Sequence, residues 1–176
     1  MISTAAGARK ENVTNTITFI SQEHEEFYLE HLLKCRYQDV YHKALVYCLG
    51  INRDTREHVD RIYDFATGCV KVNCLKEGWQ TSGSLRVVRM AFNLYCNGTP
   101  SVSKKKNVEE KIKECQCYTV EDIFCCEYAP YFWAAIKIRY PEYFHQRLES
   151  RFLNTLQDKK LKNLSKRRKN KTPHVD

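Results

Sequence analysis

Apolar side chains recur every three or four residues along most of this chain, and this spacing constrains the fold more than any other feature. The clearest run is Leu85, Val88, Phe92 and Tyr95, with Asn97-Gly98 where such a helix would end. One face of an α-helix repeats at this interval, whereas a strand alternates. The spacing predicts an all-α domain of six or seven helices with no confident strand.

Residues that favour helix starts precede several of these segments. Ser21 and Thr119 each stand where a side-chain oxygen can accept a hydrogen bond from a first-turn N–H, and a second helix is predicted from Asp39. Ser21 begins a helix whose apolar side is Phe27, Tyr28, Leu32 and Cys35. We expect Gly50 to end the helix that follows Asp39 by adopting the left-handed conformation.

Residues in the middle and at the end of the chain predict where further helices begin and end. Asp54 and Glu57 have capping-box spacing, which predicts a third helix through Val59, Ile62 and Tyr63 to about Gly68. Residues 69–82 lack periodicity and predict a long loop or a short extended piece with a possible functional role. Pro130 fits the first turn of another helix, and Pro141 interrupts it. A last helix is predicted from Glu142, with apolar positions at Phe144, Leu148, Phe152 and Leu156.

Charge is concentrated at one end. The chain carries a formal charge of +8, yet residues 159–176 contain eight Lys or Arg and one Asp, so the rest is almost neutral. A block of like charges repels itself and attracts polyanions. The sequence therefore predicts an N-terminal segment 1–16, a helical domain 17–158 and a basic disordered tail 159–176. The tail either contacts DNA or RNA without selectivity or only keeps the protein soluble. Lys104, Lys105 and Lys106 form a shorter basic run, interpreted as a solvated loop.

Composition excludes several classes of protein. A chain of 176 residues that is 43% hydrophobic and has six Gly and four Pro is neither disordered nor fibrous. No apolar stretch approaches the length of a membrane span, and Arg9-Lys10-Glu11 stands where a signal peptide would be apolar. We expect a cytoplasmic protein without a membrane partner.

Nine cysteines do not form a disulfide pattern. The number is odd, and Cys35 and Cys48 fall on predicted buried faces. No pair has the two-residue spacing of a zinc knuckle, although Cys69, Cys74 and two of the later four could meet around zinc. We favour ordinary reduced thiols and no metal site.

Motifs for common enzymes are missing. The chain lacks the glycine-rich nucleotide loops, the HExxH zinc motif and the GxSxG serine motif. This favours a protein that is not an enzyme and uses no cofactor, and it leaves the candidate catalytic set empty.

Three polar or aromatic clusters remain as candidates. In the first, the turn 79–84 opens a helix whose Arg86, Arg89 and Asn93 continue one polar face, and together with Trp79 it could bind phosphate or a partner. The alternative is a well-capped surface helix with two solvated arginines. Four residues of the basic tail complete the candidate binding set: Lys166, Arg167, Arg168 and Lys169.

The second and third clusters also have purely structural interpretations. His42 follows Asp39 by three residues, so it could be oriented as a base or simply make a structural contact. The aromatic residues between 128 and 144 could stack on bases or contact a partner, but at helical spacing they favour a core.

Five segments also resemble a known group of sequences: FISQEH (19–24), RYQDVYHKAL (36–45), DRIYDF (60–65), EGWQTSGS (77–84) and YAPYFW (128–133). They are similar to a family of small uncharacterised proteins encoded on conjugative elements and phage-like islands of Firmicutes. The resemblance supplies no catalytic residues. It implies an accessory protein of a mobile element, of the kind that acts against host defence or assists transfer.

Three functions follow as hypotheses. The first is a non-enzymatic anti-defence inhibitor, similar in role to an anti-CRISPR protein, that docks on a nuclease or protein–nucleic-acid complex. The second is direct binding of nucleic acid for regulation or transfer. The third is a small metal-independent nuclease with His42 as base and Arg86 or Arg89 stabilising the phosphoryl group.

Overall fold

The computed structural model describes residues 17–100 and 107–144. The predicted N-terminal segment, the lysine run at 104–106, the last helix beyond Phe144 and the basic tail lie outside these described residues. Nine α-helical segments occur in the two described ranges: α1 (Gln22–Lys34), α2 (Val40–Ile51), α3 (Arg53–Glu57), α4 (Val59–Ile62), α5 (Ser82–Cys96), α6 (Val108–Gln116), α7 (Val120–Phe124), α8 (Ala129–Arg139) and α9 (Pro141–Phe144). The all-α prediction is confirmed.

A small hairpin and a 3-10 helix separate α4 from α5. Strands β1 (Tyr63–Asp64) and β2 (Cys69–Val70) pair antiparallel, and the 3-10 helix Val72–Lys76 follows them. Gly68 has φ +73° in the turn and its N–H donates to the Asp64 carbonyl at 2.8 Å. The extended piece expected after residue 68 is present, but the third helix does not reach Gly68.

Helix α2 is the centre of the core. Helices α1, α5 and α8 all pack against it. Its residues from Ala44 to Leu49 are at most 1% exposed. Such complete burial is expected for a helix that is apolar on all sides, and α2 therefore fixes the positions of its three neighbours.

The predicted N-caps Ser21 and Thr119 are confirmed, and Asp39, from which a helix was predicted to start, caps α2. The Ser21 hydroxyl accepts from the His24 N–H, the Asp39 carboxylate from the Tyr41 and His42 N–H groups, and the Thr119 hydroxyl from the Asp122 N–H. Each bond satisfies a first-turn donor that has no partner within its helix.

Two predicted boundaries are wrong. Gly50 does not end α2 in the left-handed conformation, because the helix continues to Ile51. The next helix starts at Arg53, with the Asn52 side chain as its cap, and it breaks at His58. Helix α6 was not anticipated. None of its residues is buried, although Val108, Ile112 and Cys115 have the spacing of one helix face.

A buried histidine joins α1 to α2. The His24 side chain is 0% exposed; its Nδ1 accepts from the Ile20 N–H at 3.3 Å and its Nε2 donates to the Tyr47 carbonyl at 2.8 Å. An imidazole that donates at one nitrogen and accepts at the other is neutral. Burial lowers the pKa of His24 to about 4.

A buried arginine joins α8 to α5. Arg139 is 6% exposed; its Nε donates to the Leu94 carbonyl at 3.0 Å and its Nη2 to Asn97 Oδ1 at 2.9 Å. Asn97 ends α5 with φ +53°. The guanidinium also lies 3.5 Å from the centre of the Tyr41 ring. A cation at the C-terminus of a helix complements its dipole, so Arg139 stabilises the end of α5.

Candidate functional site

The polar groups of the turn before α5 form hydrogen bonds with one another. Thr81 and Ser84 form a reciprocal capping box, in which the Thr81 N–H donates to Ser84 Oγ at 2.7 Å and the Ser84 N–H to Thr81 Oγ1 at 3.1 Å. The Thr81 hydroxyl also donates to Asp54 Oδ2 at 3.1 Å. The expected capping is confirmed, and two of the N–H groups proposed to bind an anion already have partners.

Trp79 is held inside this region. Its ring stacks on His58 with centroids 4.4 Å apart and planes 2° from parallel. Its Nε1–H donates to Glu77 Oε2 at 2.5 Å, and the same carboxylate pairs with Arg61 at 2.6 Å. Hydrogen bonds from Arg61 and Trp79 lower the pKa of Glu77. One ring face and the indole N–H of Trp79 are therefore occupied within the fold.

The two arginines of α5 are not free in solvent as the surface-helix interpretation expected. Arg86 Nε donates to the Asp122 carbonyl at 2.8 Å, and Arg89 Nη1 lies 4.0 Å from Asp122 Oδ2. Asn93 donates to the Gly98 carbonyl at 3.0 Å. The predicted polar face thus connects α5 to α7 and to its own C-terminal turn.

Arg89 also lines a shallow groove of about 390 Å³ between α5, α6 and the 3-10 helix. Lys76 and Lys113 add positive charge to this groove, and Glu110 and Glu114 add negative charge. Because both signs are present, the groove does not have the single-sign lining that concentrates a polyanion.

His42 belongs to an internal hydrogen-bond network. Its Nδ1 is 2.8 Å from Asp39 Oδ1 and its Nε2 is 3.4 Å from the Tyr95 hydroxyl, which donates to the Gly68 carbonyl. His42 is 5% exposed. Burial opposes ionisation of Asp39, but hydrogen bonds from His42 hold the pKa of this carboxyl below its usual value. Both ring nitrogens have partners in the fold, which favours the structural interpretation over a general base.

The aromatic run is divided between core and surface. Phe132 is fully buried, and Tyr128, Tyr131 and Tyr140 pack partly against the core, as the core interpretation predicted. Trp133 is 49% exposed and Tyr143 is 72% exposed. The sequence did not separate these two groups.

The outward face of α1 is a feature that the sequence analysis missed. Leu29 and Leu33 are 57% and 76% exposed, one turn apart, opposite the buried His24 side. The exposed residues of α1 include four glutamates, Glu23, Glu25, Glu26 and Glu30, of which Glu30 pairs with Lys34 at 2.7 Å. The spacing of four residues between Leu29 and Leu33, off the predicted apolar side, is a signal that could have identified them.

A protein-family model matches most of this chain. The model of DUF6075, a family of unknown function, matches residues 14–151. The chain belongs to the DUF6075 family. No curated protein and no solved structure matches it.

The DUF6075 match divides the candidate residues. It includes the outward face of α1, Trp79, Arg86, Arg89 and Asn93, and it ends before the basic block at 159–176. Lys166, Arg167, Arg168 and Lys169 lie outside both the match and the described residues, so their binding role stays a prediction.

Within 17–100 and 107–144, no three His, Cys, Asp or Glu side chains come together in a way that could hold a metal. All nine cysteines fall in these ranges and are free thiols; burial raises the pKa of Cys35 to about 11. No helix in the described part of the chain is long and apolar enough to cross a membrane.

Proposed function

We propose that this DUF6075 protein is a non-enzymatic binding protein that docks on a nuclease or another protein–nucleic-acid complex. The observation that carries the proposal is the outward face of α1, where Leu29 and Leu33 are exposed on a helix that also carries four exposed glutamates. An apolar centre with a polar rim is the usual anatomy of a protein–protein interface.

The charges indicate the kind of partner. The exposed glutamates of α1 suit a basic protein surface, as found where proteins bind nucleic acid. The basic block at 159–176 suits the nucleic acid itself. A complex that offers both surfaces would match both ends of this chain.

The biological setting of the proposal comes from the resemblance described above. Small accessory proteins of mobile elements often act against host defence, so an inhibitor of a defence complex, comparable with an anti-CRISPR protein, is the form of the proposal that we favour. The internal partners of His42, Arg86 and Arg89 support binding rather than nuclease chemistry.

The test is a pull-down from host lysate, with and without nuclease treatment. The baits are the full chain, a chain ending at Asp158, and Leu29→Lys/Leu33→Lys. The matched control is Val108→Lys/Ile112→Lys, because these α6 residues are 74% and 55% exposed and also one turn apart. We expect a defined nuclease complex with every bait except the α1 variant. Equal recovery by the α1 variant would contradict the proposal.

Direct binding of nucleic acid is the second candidate, and the eight basic residues within 159–176 favour it. In this case the full chain recovers bulk nucleic acid, and the chain ending at Asp158 recovers none. Nuclease treatment separates the two functions, because a protein partner survives it.

A further inference from the structure

The outward face of α1 has an apolar centre between two ends of opposite charge. Leu29 and Leu33, the centre, are 57% and 76% exposed. The flanking charged side chains are exposed too: Glu25 and Glu26 before Leu29, Lys34 and Arg36 after Leu33. One end of the face is therefore acidic and the other end is basic.

Two of these charges have uncharged neighbours. The Gln22 amide donates to Glu26 Oε1 at 2.7 Å. At the other end, the Arg36 guanidinium lies 5.3 Å from the centre of the Tyr37 ring. Neither an amide nor a tyrosine ring neutralises a charge, so Glu26 and Arg36 can each pair with an opposite charge on another molecule.

A second copy of this face supplies those opposite charges when the two α1 helices run antiparallel. Glu26 comes three residues before Leu29, and Arg36 comes three residues after Leu33. A twofold axis that brings Leu29 opposite Leu33 of the second copy therefore brings Glu26 opposite Arg36, and it makes each contact twice. A parallel pair would instead place Glu26 against Glu26, which is repulsive.

We propose that the free protein forms a dimer in which the outward face of α1 covers the same face of a second copy, with the two helices antiparallel. The inference rests on the proposed function in one respect, since it assigns a regulation to the same docking face: the dimer has to open before the face can bind a nuclease complex. One helix per copy makes a smaller interface than permanent dimers have, so this dimer can dissociate.

The test of the dimer is sedimentation velocity of the purified full chain over a dilution series, without any partner. We expect a monomer–dimer equilibrium for the wild type. Leu29→Lys/Leu33→Lys should be a monomer at every concentration, because it places charge at the centre of the contact. Val108→Lys/Ile112→Lys is the matched control on α6 and should form the dimer as the wild type does.

Charge reversal tests the antiparallel arrangement. Glu26→Arg and Arg36→Glu should each raise the dissociation constant of the dimer several-fold, because each places like charges opposite each other twice. An equimolar mixture of these two variants restores both contacts and should associate about as tightly as the wild type. Recovery in the mixture also shows that both variant chains are folded.

Three results would overturn the proposal: a wild type that is monomeric at every concentration, a dimer that persists in Leu29→Lys/Leu33→Lys, and a mixture of the charge variants that associates no better than either variant alone. These results are obtained without a partner, so they leave the docking proposal intact. A pull-down that recovers no nuclease complex would contradict docking and leave the dimer equilibrium as measured.

Discussion

Gly50 lies directly beneath the ring of His24, so that a Cβ built on Gly50 would stand 2.5 Å from His24 Cδ2 and 3.0 Å from Phe27 Cδ1. Glycine inside a helix normally lowers stability. Here it lets α1 approach α2 closely enough for His24 to reach the Tyr47 carbonyl.

Replacing Gly50 with alanine should therefore destabilise the protein. The added methyl group forces α1 away from α2, and overpacking of this kind costs about 1–3 kcal/mol. Urea unfolding of Gly50→Ala measures the loss. Gly78→Ala is the control, because a Cβ there meets nothing within 4 Å. Equal stability of the two variants would contradict the packing role of Gly50.

Acid should weaken the fold through His24. Its pKa is about 4 in the folded chain and near 6.5 when exposed, so the unfolded state binds the proton first. Stability is highest above the unfolded value and falls as the pH decreases from about 6.5 to 4, by on the order of 2–3 kcal/mol. Unfolding free energies of wild type and His24→Gln across this range test the effect. The variant should show a shallower decline, and parallel curves would exclude His24 as the cause.

Arg139 should be sensitive to conservative replacement. Lysine keeps the charge but cannot donate to both the Leu94 carbonyl and Asn97 Oδ1 in one plane. We expect Arg139→Lys to lower stability by about 2 kcal/mol, the range for hydrogen bonds from charged groups. Thermal unfolding provides the measurement. Lys137→Arg, an exposed exchange on the same helix, should have almost no effect.

Asp39 should contribute to the stability of the fold in two ways, by capping α2 and by its contact with His42. Asp39→Ala removes the acceptor for the Tyr41 and His42 N–H groups and should cost about 1–2 kcal/mol at neutral pH. Asn at this position keeps an acceptor and should retain most of the stability. The Asp39 pKa is lowered in the fold, so the part of its contribution that depends on the ionised carboxylate is present above the unfolded pKa and is lost as the pH falls through the folded value. The protonated carboxyl still accepts a hydrogen bond, as Asn does. If Asp39→Ala loses as much unfolding free energy at low pH as at neutral pH, this account is wrong.

If the second candidate function holds, the salt dependence of binding to duplex DNA has an upper limit. Eight basic residues in 159–176 can contact at most eight phosphates, so the slope of log K against log salt should not exceed about 7 in magnitude. Fluorescence anisotropy with a labelled duplex measures it. A slope unchanged in the chain ending at Asp158 would assign binding to the helical domain.

Local signals explain why part of the fold was predictable. Ser21, Asp39 and Thr119 act through hydrogen bonds within one helical turn, and α5 has a complete apolar stripe, so both features are visible in a short window. Gly50 was interpreted wrongly because its small size serves a contact with His24, 26 residues away in the sequence. The two-residue strands are too short to show alternation.

The candidate site was less predictable for the same reason. The contact from His42 to Tyr95 joins residues far apart in sequence, and the partner of Arg86 and Arg89 is Asp122 in another helix. Sequence spacing identified these side chains as polar and clustered. It could not show that the fold itself occupies them, because that depends on how α5, α7 and the hairpin pack.

The contacts of Arg139 imply an order of disassembly. Its partners are a backbone carbonyl, an amide and aromatic rings, none of which gains a proton in mild acid, and the guanidinium stays charged. Protonation of His24 removes the acceptor for the Ile20 N–H and leaves a buried charge where α1 meets α2. Below neutral pH the first partly unfolded species should therefore have released α1 while α5 and α8 remain joined, and amide exchange should show this as early opening of residues 22–34.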